Sequence, residues 1–135
     1  MKTFKILKDK KGLEVLEAVI TLPVMIAILL SVINLSLVVY GKQAVEDAAE
    51  YGARMGSVAQ SAPAIYASAY AQKSINAKGV VQNPKVTILA ASANAGSLLT
   101  VNVSGEIPNV IGEFIPGLPS PFKVNGQASF RKEGW

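Results

Sequence analysis

The sequence predicts an α+β chain. A long N-terminal transmembrane helix continues into an exported helical region, and a second short helix and a small three-stranded antiparallel sheet follow. Three observations predict this. Residues 18–40 contain no charged side chain. Beyond them, small and apolar residues recur every three or four positions as far as residue 62. From about residue 85 the apolar period drops to two.

The uncharged run comes first. At about 1.5 Å of rise per residue, a helix over residues 18–40 is roughly 34 Å long. A bilayer's hydrocarbon core is about 30 Å thick, so this run spans it with a modest tilt. Pro23 lies inside the run; it would cost about 3 kcal/mol in a soluble helix. A membrane helix tolerates such a proline, usually with a kink. Ahead of the run, Lys2, Lys5, Lys8, Lys10 and Lys11 stand against Asp9. Most of the chain's formal charge of +4 sits in this leader. A positive flank stays in the cytoplasm, which places the C-terminal part outside, on a single-pass protein of the cell membrane. Because the basic balance belongs to the leader, it does not point to nucleic acid.

Past Tyr40 the helical pattern becomes one-sided. Gly41, Val45, Ala48, Gly52, Met55, Ala59 and Ala62 alternate steps of four and three, a heptad-like seam made mostly of small residues. Such a seam suits close helix packing, either on the chain's own sheet or against neighbouring subunits. Glu50 and Arg54 stand at i,i+4 in the favourable order on another face. Ser61 and Pro63 suit the start of a second helix. Its apolar face is weak, with Ile65, Ala69 and the stretch from Gln72 to Ile75, and Gly79 suits its C-terminal cap.

Three half-buried strands follow. Val86, Ile88 and Ala90 alternate with polar or outward positions. So do Leu99, Val101, Val103, Gly105 and Ile107, and then Phe122, Val124, Gly126, Ala128 and Phe130. A turn at residues 93–97 joins the first two strands. Residues 109–121 join the last two and hold Pro116, Pro119 and Pro121, which excludes a plain strand there. The loop's Val110, Ile111, Phe114 and Ile115 are expected to pack beneath the sheet. The chain thus divides into a leader (1–12), a transmembrane and assembly helix (13–62) and an exported α+β head (63–135).

The chain has no cysteine and no histidine. Disulfides, the usual zinc sites, a histidine-based triad and a thiol nucleophile are therefore excluded. There is no phosphate-binding glycine motif, and the exported acids lie in ordinary surface patterns. The expectation is a protein with no catalytic residues, metal or cofactor.

Glu17 stands at the mouth of the apolar run, and no charged residue follows it until Lys42. On charge placement alone it could snorkel to the cytoplasmic headgroups beside Lys10 and Lys11. The stretch "KKGLEVLEAVITLP" resembles the class III signal of type IV pilin-like proteins, with Gly12 before the cut, Leu13 as the new N-terminus and Glu17 as the fifth mature residue. Together with "YGKQAVEDAAEYGARMG", it is similar to TadE-like minor pilins, or pseudopilins, of the Tad (Flp, type IVb-like) pilus system. Gln43-Ala44, Asp47-Ala48-Ala49 and Arg54 stand where that family carries its exported helix motif, and Pro23 follows the glutamate as it does there. Leu16 replaces the usual valine, and Ala18 stands where major Flp pilins favour an aromatic residue. The resemblance implies a pilin-like fold and cleavage after Gly12 by a prepilin peptidase. It also implies that Glu17 pairs with a neighbouring subunit's Leu13 amine. The partners it implies are the major Flp-type pilin, other minor pilins, the assembly platform in the membrane and the lipid bilayer. A different class of function also fits the residues: a single-pass surface binding protein outside any pilus, with Gly105 and residues 109–121 as its ligand region.

Overall fold

The computed structural model describes residues 10–92, 94–112, 115, 117–118 and 120–134, with Lys11 by its backbone alone. The elements run α1 (Lys10–Ser57), α2 (Pro63–Lys78), β1 (Gln82–Ala90), β2 (Leu98–Ile107) and β3 (Phe122–Arg131). The fold is therefore α+β, as the change of period indicates, and the sheet is antiparallel in the order β1-β2-β3.

α1 starts before Leu13 and passes unbroken through Pro23. It ends at Ser57, short of Ala62 where the small-residue pattern stops, because the chain reverses there. The Ser57 hydroxyl donates to the Arg54 carbonyl at 2.8 Å, and the Ser57 carbonyl accepts from the Glu133 N–H at 3.2 Å. The last turn of α1 is thus tied to the tail of β3. Ala62 takes a left-handed conformation at φ 47° immediately before Pro63 and occupies the cap position of α2 with no side-chain cap, so Ser61 does not cap the helix. Gly79 ends α2 at φ 67°, the conformation a glycine C-cap supplies.

α2 buries Pro63, Ala67, Ala71 and Ile75. Of the face expected from sequence only Ile75 is buried; Ile65 is 69% exposed. Spacing explains the difference. A β-carbon on Gly52 would lie 2.6 Å from the Ala71 Cβ, and one on Gly56 would lie 2.7 Å from the Ala67 Cβ. Helices this close accept alanine at the contact and turn isoleucine outward. Tyr51 and Tyr70 close the outer side edge to face, with centroids 5.8 Å apart. The Lys78–Asp47 pair at 3.2 Å joins the other end of α2 to α1. Within α1, Lys42 and Glu46 pair at 2.9 Å. Glu50 and Arg54 do not form the ion pair their spacing allows.

The sheet lies across the same half of α1. Leu99, Val101, Val103 and Ile107 of β2 are fully buried with Val45, Ala48, Ala49 and Ala53 of α1. The register sets Val103 opposite Gly126, Gly105 opposite Val124 and Ile107 opposite Phe122. Direction follows from the contacts. Gly56 meets Leu99 and Gly41 meets Ile107, so β2 runs antiparallel to α1, back towards the apolar segment. β3 returns the other way, past Val45 and Glu46 at Gly126. β1 extends upstream of the alternating residues to Gln82, with Asn83 at φ 48° and a register irregularity between Gln82 and Lys85. Pro84 is accommodated because β1 is an edge strand.

At Gly126 a β-carbon would lie 2.5 Å from the Glu46 backbone nitrogen and 2.6 Å from the Val45 carbonyl carbon. Backbone cannot swing aside as a side chain can. Gly126→Ala is expected to destabilise the head by about 1–3 kcal/mol, the usual cost of overpacking. Urea unfolding of the detergent-solubilised protein measures it, and a change below about 0.5 kcal/mol would show that the sheet can retreat from the helix.

Candidate functional site

α1 has two differently covered halves. Between residues 13 and 33 every side chain is exposed except Leu30, which is half-buried. Leucine, isoleucine, valine and methionine point outward all round the helix: Leu13, Val15, Ile20, Met25 and Leu29 are each more than half exposed. Ser31 bonds back to its own helix, donating to the Ala27 carbonyl at 2.7 Å. Just beyond, Ser36 donates to the Val32 carbonyl at 2.8 Å. Such back-bonding hides a polar group in an apolar setting. This helix is long and apolar enough to cross a membrane.

Glu17 lies on this surface, exposed and without a partner among the described residues. Gly12 and Leu13 lie one turn before it, in the opening turns of α1. The leader before Lys10 lies outside the described residues. Pro23 sits on the exposed half.

From Asn34 onward one face of α1 is covered by the head. The seam residues Gly41, Val45, Ala48 and Gly52 are buried and Met55 is half-buried, all within this chain. Gly41 faces Ile107, and Gly52 faces α2. Gly105 is buried too, with Val81 filling the space a side chain would need. A shallow polar groove beside it is lined by Asn83, Lys85, Ser104, Glu106, Lys123 and Asn125. Asn83 donates to Glu106 there at 3.2 Å. In the loop 109–121, Val110 and Ile111 are half-buried, whereas Ile115 is 50% exposed and does not pack beneath the sheet. Phe114 lies outside the described residues.

Asn34 is the residue that pattern reading missed. It is 8% exposed, although its position lies well inside the uncharged run. Its amide donates to the Asn109 side-chain oxygen at 2.9 Å. Its own oxygen accepts from the Val110 N–H at 3.1 Å, and the Asn109 oxygen also accepts from Gly112 N–H at 3.0 Å. A signal was present. Asn34 is the one carboxamide among residues 18–40, and an amide, unlike a serine hydroxyl, cannot satisfy itself on its own helix.

One long apolar helix carries a small α+β head on its far half, an architecture that suggests single-pass membrane anchoring. The family model described as TadE-like protein matches residues 12–54. Those residues are the glutamate-bearing apolar segment and most of its covered extension, the stretch whose residues resemble that family. This family suggests a protein associated with the Tad pilus. No curated protein matches the chain, and no solved structure matches it.

Replacing Asn34 with leucine removes both bonds to the loop and leaves the Val110 N–H without its acceptor. Losing one such buried partner costs about 1–3 kcal/mol, so amide exchange at Val110 should quicken roughly tenfold or more in Asn34→Leu. Mass-resolved exchange over the loop peptide reads this directly. Unchanged protection would mean that the loop is held by other contacts.

Proposed function

We propose that the protein is a TadE-like minor pilin, or pseudopilin, of a Tad pilus. The carrying observation is Glu17, a carboxylate without a partner among the described residues on a helix that is apolar all round. It stands five residues beyond Gly12, inside the stretch matching the TadE-like family. A charge inside a membrane costs about 2.5–3.5 kcal/mol at mid-bilayer on insertion scales, and less towards an interface. A partner offsets that cost. Cleavage between Gly12 and Leu13 by a prepilin peptidase creates one, a new α-amine at the same depth on every processed copy. Pairing of Glu17 with a neighbour's Leu13 amine makes assembly conditional on processing, since the uncut chain has no amine there. Pro23 shapes the helix within the packed bundle. The surface of residues 13–33 meets the bilayer first and then the Flp-type pilin and other minor pilins, at the assembly platform. The N-terminus stays cytoplasmic and the head is exported.

Two experiments test this reading. In a host with the peptidase, Gly12→Val should leave a precursor about 1.4 kDa heavier than wild type, the mass of the attached leader. Equal masses would remove processing from the account and leave a plain anchor.

Glu17→Ala should insert and be cleaved normally, because the carboxylate opposes insertion and lies outside the cut bond. Its incorporation into pili should fall about tenfold, the effect of losing roughly 1.4 kcal/mol of contact energy. Glu17→Gln keeps size without charge and should fall almost as far. Wild-type incorporation of either variant would reduce Glu17 to a headgroup anchor.

A further inference from the structure

We propose that the head does not stand clear of the membrane: the loop after β2 is seated in the outer-leaflet interface, with Ile115 and Leu118 against lipid. The inference rests on α1 being a membrane anchor, and it concerns where along α1 the bilayer ends.

β2 runs down α1 from Gly56 to Gly41, and the chain continues in the same direction to Asn109. There Val110 N–H and the Asn109 side chain bind Asn34, which sits about 9 Å of helix rise below Tyr40. The loop is therefore clamped to a residue within the uncharged run. Two limits bracket its depth. If residues 18–40 fill the hydrocarbon, the Asn34–Asn109 clamp and Val110 lie about 9 Å inside its outer boundary. If the head instead stays wholly above the hydrocarbon, that boundary falls at Asn34. Residues 13–33 then cross alone, with a rise of about 31 Å against the roughly 30 Å needed. In both limits the loop reaches the hydrocarbon boundary or passes it.

The loop's chemistry suits that position. Polar atoms at the clamp bond to one another: the Asn34 amide donates to the Asn109 side-chain oxygen, which also accepts from Gly112 N–H, and the Asn34 oxygen accepts from Val110 N–H. The Ile115 N–H donates to the Ile111 carbonyl at 3.0 Å, which holds Ile115 close to the clamp. Ile115 is 50% exposed and Leu118 44%. Among the described residues neither belongs to the core cluster or packs against it. The apolar surface next to the loop is that of α1, so the occupant that covers the helix also covers the loop.

The chain has no cysteine, so single cysteines can be placed cleanly. Nitroxide labels at Ile115→Cys, Leu118→Cys, Ile26→Cys and Leu98→Cys would be compared in the full chain, reconstituted in phosphatidylcholine liposomes. Ile26 lies in the exposed apolar half of α1. Leu98 is 54% exposed at the opposite end of the sheet. Accessibility to oxygen against a water-soluble nickel chelate reports depth. Ile26 should strongly favour oxygen and Leu98 the chelate, and Ile115 and Leu118 should favour oxygen severalfold over Leu98. Adding Asn34→Leu should return the Ile115 label towards the value at Leu98. Labels at 115 and 118 that read as Leu98 does, with Ile26 still deep, overturn the seating and leave the anchor standing. An aqueous reading at Ile26 fails the anchor itself. Oxygen preference at 115 that vanishes as the protein is diluted in lipid assigns the loop to a second copy instead of the bilayer, which also overturns the proposal.

Discussion

The head is built around a backbone approach. At Gly126 the sheet comes so close to α1 at Val45 and Glu46 that no β-carbon fits. At Gly52 and Gly56 α2 comes as close on another side. These contacts let a short stretch of helix carry an entire domain. The buried helix residues are mostly alanine, and the larger buried side chains come mainly from the sheet: Leu99, Val101, Val103 and Ile107. Each contributes about 1.5–3 kcal/mol when fully buried. A helix bristling with leucine would hold the sheet farther off, and the β2 residues would then face a wider gap. The small seam of α1 and the bulky inner face of β2 are two halves of one packing solution.

Element types were largely readable from the sequence because each is dictated by local periodicity: the uncharged run, the three-four seam and the two-residue alternation of the strands. The misreadings share a cause. Ser61 looks like a helix cap and Ile65 like a core residue only if α2 is considered alone. Once α2 lies against Gly52 and Gly56, contact distance outranks hydrophobicity, and Ala67 and Ala71 take the buried face. Glu50 and Arg54 have the spacing of an ion pair and do not form one, while Asp47 pairs with Lys78 across the helix pair. No local pattern contains the Asp47–Lys78 pair or the buried face of α2, because each depends on a partner element distant in sequence.

The candidate site divides along the same line. Gly12, Leu13, Glu17 and Pro23 form a compact local signature, and their proposed role rests on the sequence pattern. Asn34 could not be read in that way, since its partner Asn109 is 75 residues away. A polar residue in an apolar run is easily passed over as tolerated. Its hydrogen bonds mark the point where the head begins to cover the helix. Below it every face of α1 is bare, and above it one face belongs to the head.

This boundary bears on Glu17. Counted from Tyr40, a bilayer-thick stretch of helix ends close to Glu17, and the carboxylate reaches the cytoplasmic headgroups with ease. Counted from Asn34, Glu17 is about 25 Å farther down, roughly 5 Å inside a 30 Å core. Two polar demands on one rigid rod then compete: the head resists sinking at one end, and the glutamate resists being drawn in at the other. A chain alone in the bilayer can satisfy both only by letting the loop enter the outer interface, or by tilting and thinning the lipid around it. On the proposed pilin reading, a neighbouring subunit offers a different resolution, because an amine beside Glu17 would meet the charge where it lies. The distance between Asn34 and Glu17 would then favour the assembled helix over the solitary one.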